Sequence, residues 1–127
     1  MAALLLDTEA FIWWDDNDPR LGDNARLAIQ NASEVYVSAA SAWEISIKAS
    51  LGKLRTSRRP LVAVEEAGFH PLPVTFEYAE AVRTLPRHHR DPFDRLIIAS
   101  ARVEGWSVLT SDAQFAKYDI ELIDART

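Results

Sequence analysis

Asp7, Glu44, Asp94 and Asp112 each stand where an apolar run gives way to the start of a helix, and they are spread along most of a 127-residue chain. Carboxylates drawn within about 4–6 Å of one another repel and raise one another's pKa. A fold that keeps such a group charged at neutral pH has to supply a compensating cation. With no His or Cys in the set, the donors select a hard, oxygen-loving ion, Mg2+ or its substitute Mn2+. A cation so held can polarise a phosphodiester, generate hydroxide from bound water and stabilise the leaving oxygen.

Each of the four also has an ordinary structural use. Asp7 and Asp112 suit helix N-caps, worth about 1 kcal/mol each. Ser41-Ala42-Trp43-Glu44 matches a capping box, and Glu44 with Lys48 makes the favourable i,i+4 ion pair. Asp94 suits the dipole of a first helical turn. What argues for chemistry is the four taken together, because an alternation of strands and helices can aim them at one rim.

That alternation is written in the hydrophobic pattern. Residues 2–6 form a continuous apolar run, as in a strand buried on both faces. Residues 8–14 read as a helix, stopped by the turn formers Asp15-Asp16-Asn17-Asp18-Pro19. A second amphipathic helix covers 22–31, and Val35-Tyr36-Val37 marks a strand over 34–38. From residue 40 the spacing of Ala40, Trp43, Ile47 and Leu51 predicts one buried helix face, with Gly52 as the stop. Residues 61–67 read as helix, and 69–74, with two prolines, hold only a short or edge strand. Helix is predicted over 76–85.

Asp91-Pro92-Phe93-Asp94 has the composition of a helix N-terminus, opening a helix that runs to 104 and stops at Gly105. A strand over 106–110, a short helix over 113–117 and a strand over 120–123 complete the chain. Repeated βαβ units make this an α/β protein with a mainly parallel sheet covered on both sides. In such a sheet, ligands bind beyond the carboxyl ends of the strands. With no internal repeat or low-complexity tract, residues 1–127 are expected to form one domain.

Other residues carry weaker signals. His88-His89 invites a metal or acid–base role, but adjacent histidines point different ways in most backbones, so phosphate or loop contacts are expected of them instead. Trp13 and Trp14 cannot both face one core; one should be buried and the other should join an apolar partner groove. Arg95, beside Asp94 and one turn from Asp91, is placed to hold Asp91.

Composition narrows the class. An apolar fraction of 48% and a charged fraction of 26% are ordinary for a soluble globular protein. No apolar run approaches the ~18 residues of a membrane span, and the start lacks the pattern of a signal peptide. There is no cysteine, hence no disulfide framework and no thiolate metal site; the cytoplasm is the simplest address. A net charge of −5 argues against non-specific coating of nucleic acid. Yet nine of the 14 Lys and Arg residues lie in two tracts, Lys48, Lys53, Arg55, Arg58, Arg59 and Arg83, Arg87, Arg90, Arg95. Such tracts beside an acidic centre suit the gripping of phosphates.

The stretches Leu4-Leu5-Leu6-Asp7-Thr8, Ser38 to Lys48 through Trp43-Glu44-Ile45, His88-His89-Arg90-Asp91-Pro92-Phe93-Asp94-Arg95 and Leu109-Thr110-Ser111-Asp112 together resemble the PIN-domain ribonucleases. Within that family they resemble the VapC-type toxins of bacterial type II toxin–antitoxin pairs. The resemblance implies a three-layer α/β/α sandwich and a Mg2+-dependent endoribonuclease, usually a homodimer, silenced by a cognate antitoxin. Carried over by position, Asp7 and Asp94 would be the principal metal ligands, with Glu44 and Asp112 completing the shell directly or through water. Thr8, Thr110 and Ser111 would orient those carboxylates, with Asp91 and Arg95 as further supports. Lys48, Lys53, Arg55, Arg87 and Arg90 are the candidate RNA contacts. Glu9 departs from the family pattern of a neutral residue or histidine and adds charge beside Asp7. Residues 55–74 match poorly, and no role is carried over there.

Two other classes fit parts of the pattern. A signalling receiver domain shares the size, the α/β alternation and an acidic Mg2+ pocket. It would place a phospho-accepting Asp after a mid-chain strand and a Lys after a late one, where this chain has a basic loop and Thr110-Ser111-Asp112. A non-catalytic PIN-like binding module would tend to lose acids, and this chain has all four.

Overall fold

The structure is a computed structural model that describes residues 3–55 and 58–127. Five strands among these residues form one sheet: β1 (Leu4–Leu6), β2 (Val35–Ser38), β3 (His70–Leu72), β4 (Ser107–Thr110) and β5 (Leu122–Asp124). Their order is β3-β2-β1-β4-β5, and every neighbouring pair is parallel. This order differs from the 2-1-3-4-5 arrangement of receiver-type folds, so that alternative falls. The expected start of the first strand at Ala2 lies outside the described residues. Among the described residues six helices cover the sheet: α1 (Thr8–Asp15), α2 (Asp23–Asn31), α3 (Ala39–Ser50), α4 (Pro60–Glu66), α5 (Phe76–Ala81) and α6 (Pro92–Glu104). Among the described residues no helix is long and apolar enough to cross a membrane.

Strand alternation builds a core on each side. Leu4 and Leu6 of β1, with Val37 and Leu109, pack beneath Phe11, Trp13, Ile29, Ile45 and Val64. Leu5, pointing the other way, joins Val108, Tyr78, Ile97, Ile98 and Phe115. Helix, sheet and helix therefore make three layers, as expected. Leu5 and Leu6 are fully buried, and burying a leucine side chain contributes about 1.5–3 kcal/mol.

Several boundaries move by a residue or two. The helix expected over 76–85 gives way to a 3-10 turn at Val82–Thr84, and residues 113–117 are also 3-10 rather than α. The last strand starts at Leu122, not at 120. Pro71 lies in an edge strand, where its missing N–H costs no ladder bond. Asp91 caps α6, its carboxylate accepting from the Phe93 and Asp94 amides at 2.9 and 3.0 Å. Gly105 closes that helix in the left-handed conformation, φ 73°.

Helix α3 departs furthest from expectation. Ser38, not Ser41, is its N-cap, accepting from the Ala40 amide at 3.0 Å, so the capping box does not form. Of the predicted apolar face, Ala40 is buried and Ile47 half-buried, but Trp43 and Leu51 are 63% and 62% exposed. Ser41, Glu44 and Ile45 are buried in their place. The helix is rotated to put Ser41 and Glu44 inside, where the Thr8 hydroxyl meets Ser41.

Candidate metal centre

Two parallel strands set the floor of the site. Leu6 of β1 lies opposite Leu109 of β4, so the next residues along, Asp7 and Thr110, come side by side. Asp7 is buried, at 4% exposure. Its Oδ1 accepts from the Ala10 amide at 2.8 Å as the N-cap of α1, and its Oδ2 accepts from the Thr110 hydroxyl at 2.5 Å. Thr110 Oγ1 in turn accepts from the Asp112 amide at 3.0 Å, and Asp112 caps the following turn by accepting from Gln114 at 2.9 Å. The N-cap roles read from sequence are therefore real, and both residues also line a common cleft.

The wall is α3. Thr8 donates to the buried Ser41 hydroxyl at 2.9 Å, docking α1 against α3. One turn on, Glu44 Oε2 meets Lys48 Nζ at 2.9 Å, while Glu44 Oε1 is buried without a hydrogen-bond partner. A buried carboxylate oxygen left unpaired is costly, and it points to a ligand still to come. Glu44 also holds the Lys48 ammonium above its usual pKa.

Asp94, in the first turn of α6, closes the far side. Its Oδ2 lies 2.8 Å from His89 Nε2, and the same nitrogen is 3.8 Å from Asp112 Oδ2. The resulting cleft, about 350 Å³, is lined by Asp7, Glu9, Glu44, Asp91, Asp94 and Asp112, with Lys48 and Arg126 as its basic residues. Burial pushes the Asp7 carboxyl up to about 7, against the hydrogen bonds from Thr110 and Ala10, and nearby Asp94 and Glu9 push the same way. Burial likewise raises Asp94 to about 6; the His89 contact opposes it, and Asp91 and Glu44 add to it. An all-oxygen donor set, an unpaired buried oxygen and carboxyls that resist ionisation fit a divalent cation.

The other candidates divide. Ser111, expected to orient one of the four acids, donates to Glu9 Oε1 at 2.9 Å, which gives Glu9 a partner across the mouth of the cleft. Arg95 does not hold Asp91. It donates to the Pro86 and Val82 carbonyls and the Tyr118 hydroxyl, at 2.8, 3.2 and 3.1 Å. Asp91 is already satisfied by the two amides it caps, so the guanidinium serves the loop instead. Lys48 lies in the cleft, whereas Arg87 and Arg90 line an adjoining basin of about 610 Å³ with Arg83, His89 and Arg95. Arg55 lines a separate pocket between α1 and α4 with Asp15 and Arg58, and Lys53 is exposed on the turn after α3. Trp13 is buried and Trp14 packs on Phe69, ring centroids 5.6 Å apart. His89 lies against Asp94 and Asp112, although the sequence reading weighed a metal or acid–base role for it and favoured phosphate or loop contacts.

This geometry has relatives. The PIN domain family profile matches residues 4–121, and the chain belongs to that family. It is 30% identical over 121 residues to Ribonuclease VapC22 of Mycobacterium tuberculosis (strain ATCC 25618 / H37Rv), with 93% of each chain covered. Its fold matches DNA-bound VapBC from Salmonella typhimurium with TM-score 0.72, at 22% identity over 98% of both chains. It also matches VapBC-5, a member of the VapBC family of toxin–antitoxin systems from Mycobacterium tuberculosis, with TM-score 0.64 and 26% identity. That match covers 97% of this chain and 98% of the other.

Proposed function

We propose that this chain is a Mg2+-dependent endoribonuclease, with Mn2+ as a substitute, that acts as a toxin in the cytoplasm and is neutralised by a cognate antitoxin. The observation that carries this reading is the carboxylate-lined cleft holding the buried Asp7, the unpaired Glu44 oxygen and Asp94. It is supported by membership of the PIN domain family and by the likeness to a relative named as a ribonuclease. Asp7 and Asp94 are the principal ligands, with Glu44 and Asp112 completing the shell. When bound, the cation polarises the phosphodiester, activates water and stabilises the leaving oxygen.

The remaining residues position and exclude. Thr110 fixes the Asp7 carboxylate through its hydroxyl, and Thr8 with Ser41 fixes α1 against α3. Asp91 sets the first turn of α6 and hence Asp94, while Arg95 clamps the loop that precedes it. Lys48, Arg87 and Arg90, with Lys53 and Arg55 further out, receive the RNA backbone, since phosphate contacts position a nucleic acid without reading its sequence. Residues 1–127 act as one domain, paired as a homodimer.

The test is cleavage of an RNA mixture by purified protein. Asp94→Asn should abolish it while the circular dichroism spectrum and Tm remain those of a folded chain. EDTA should stop the wild-type reaction and Mg2+ or Mn2+ restore it. Undiminished cleavage by the variant, or activity resistant to the chelator, would remove the assignment.

A further inference from the structure

We propose that His89 is a direct cation ligand, so that the centre is a mixed nitrogen–oxygen site and not a purely carboxylate one. The inference rests on the cation-site reading above and adds a donor to it. One ligand atom from each of His89, Asp94 and Asp112 lies within 4.8 Å of the others, a spacing that a single ion can span. His89 Nε2 sits 2.8 Å from Asp94 Oδ2 and 3.8 Å from Asp112 Oδ2, distances typical of neighbouring vertices in one coordination shell. Its side chain is 19% exposed, so the ring is held inward.

The loop that carries the ring is fixed on both sides. Leu85 is buried at 5% exposure, and Arg95 grips the Pro86 carbonyl at 2.8 Å. His88 packs edge-on against Tyr118, ring centroids 5.2 Å apart, which turns it away from its neighbour. Asp91, two residues on, is locked as the cap of α6. His89 is therefore delivered to the acidic cleft by a clamped segment, and little ordering remains to be done when an ion arrives. Imidazole nitrogen suits first-row transition ions, whereas Mg2+ keeps to oxygen ligands and water; Mn2+, itself a first-row ion, tolerates the nitrogen better than Mg2+ does. The chain should therefore favour Mn2+ over Mg2+ more strongly than an oxygen-only site does.

Untagged protein loaded with Mn2+ and read by electron spin-echo envelope modulation provides the test, because a directly bound nitrogen imprints 14N modulation on the Mn2+ signal. The wild type should show that modulation, His88→Ala should keep it, and His89→Gln should lose it while still binding Mn2+. Competition by Mg2+ should become more effective in His89→Gln. Bound Mn2+ without 14N modulation, or modulation that survives His89→Gln, would overturn the role of His89 and leave the carboxylate site standing. Failure of the folded wild type to bind Mn2+ at all would overturn both.

Discussion

Asp7 starts a helix with the same carboxylate that lines the cleft, and burial makes that carboxyl hard to ionise although its hydrogen bonds pull the other way. Both Asp7, at about 7, and Asp94, at about 6, lie above the ordinary aspartate value of 3.8. The cation-free folded chain thus binds more protons than the unfolded chain between about pH 4 and 7. The stability these groups contribute is full below the unfolded value and is lost as pH rises through the folded ones. A cation needs the deprotonated forms, so its affinity should run the opposite way, falling as pH drops from about 7.5 to about 5.5. Calorimetry in two buffers of different ionisation heat should show protons released on Mn2+ binding; an affinity flat across that range would contradict the assignment. Thr110→Val, which keeps shape but removes the donor to Asp7, should weaken Mn2+ binding roughly 10–100-fold with the fold retained. A titration indistinguishable from wild type would show that the hydroxyl does not orient the ligand. At this scale the sequence was informative where a residue's place follows from its own element. Asp7 and Asp112 come just after strands, and Asp94 sits in a recognisable first turn. The adjacent histidines were visible, but which acids His89 meets was not, because its approach to Asp94 and Asp112 is arranged by a loop clamped through Arg95 and Tyr118, and no local periodicity encodes that.

The elements tell the same story with different failures. Strand number, parallel direction and the two-sided burial of β1 follow from continuous apolar runs separated by helical patterns. The rotation of α3 does not, since apolar spacing nominated Trp43 and Leu51 for the core while the Thr8 hydroxyl claimed Ser41, and Glu44 turned inward beside it. Trp43 finds a use all the same, meeting Phe93 of α6 edge to face with ring centroids 5.1 Å apart. Trp43→Ala should therefore cost about 0.5–1.5 kcal/mol in urea unfolding, and no change would mean that the pair does not tie α3 to α6. Gly22, the cap of α2, shows a second contact invisible in the sequence. A Cβ there would lie 2.2 Å from the Thr127 carbonyl carbon and 2.7 Å from Arg126 O, both of them backbone atoms. Gly22→Ala should destabilise the protein by about 1–3 kcal/mol, seen as a lowered Tm. An unshifted Tm would show that residues 126 and 127 move aside freely.

For the molecule as a whole, expression of the chain without its partner should arrest bacterial growth, and Asp7→Asn or Asp94→Asn should lift the arrest at equal protein levels. Arrest that persists in both variants would separate toxicity from the acidic centre. Light scattering should give twice the 14.3 kDa chain mass; a monomer would remove the homodimer. One contact already described has a temporal meaning. The hydroxyl that fixes Asp7 arrives 103 residues later, and Asp112 arrives later still, so a chain emerging from the ribosome holds Asp7 long before the proposed centre can form. No segment that stops short of residue 112 would line the whole cleft, which gives a newly made inhibitor the time of that synthesis and collapse to be waiting.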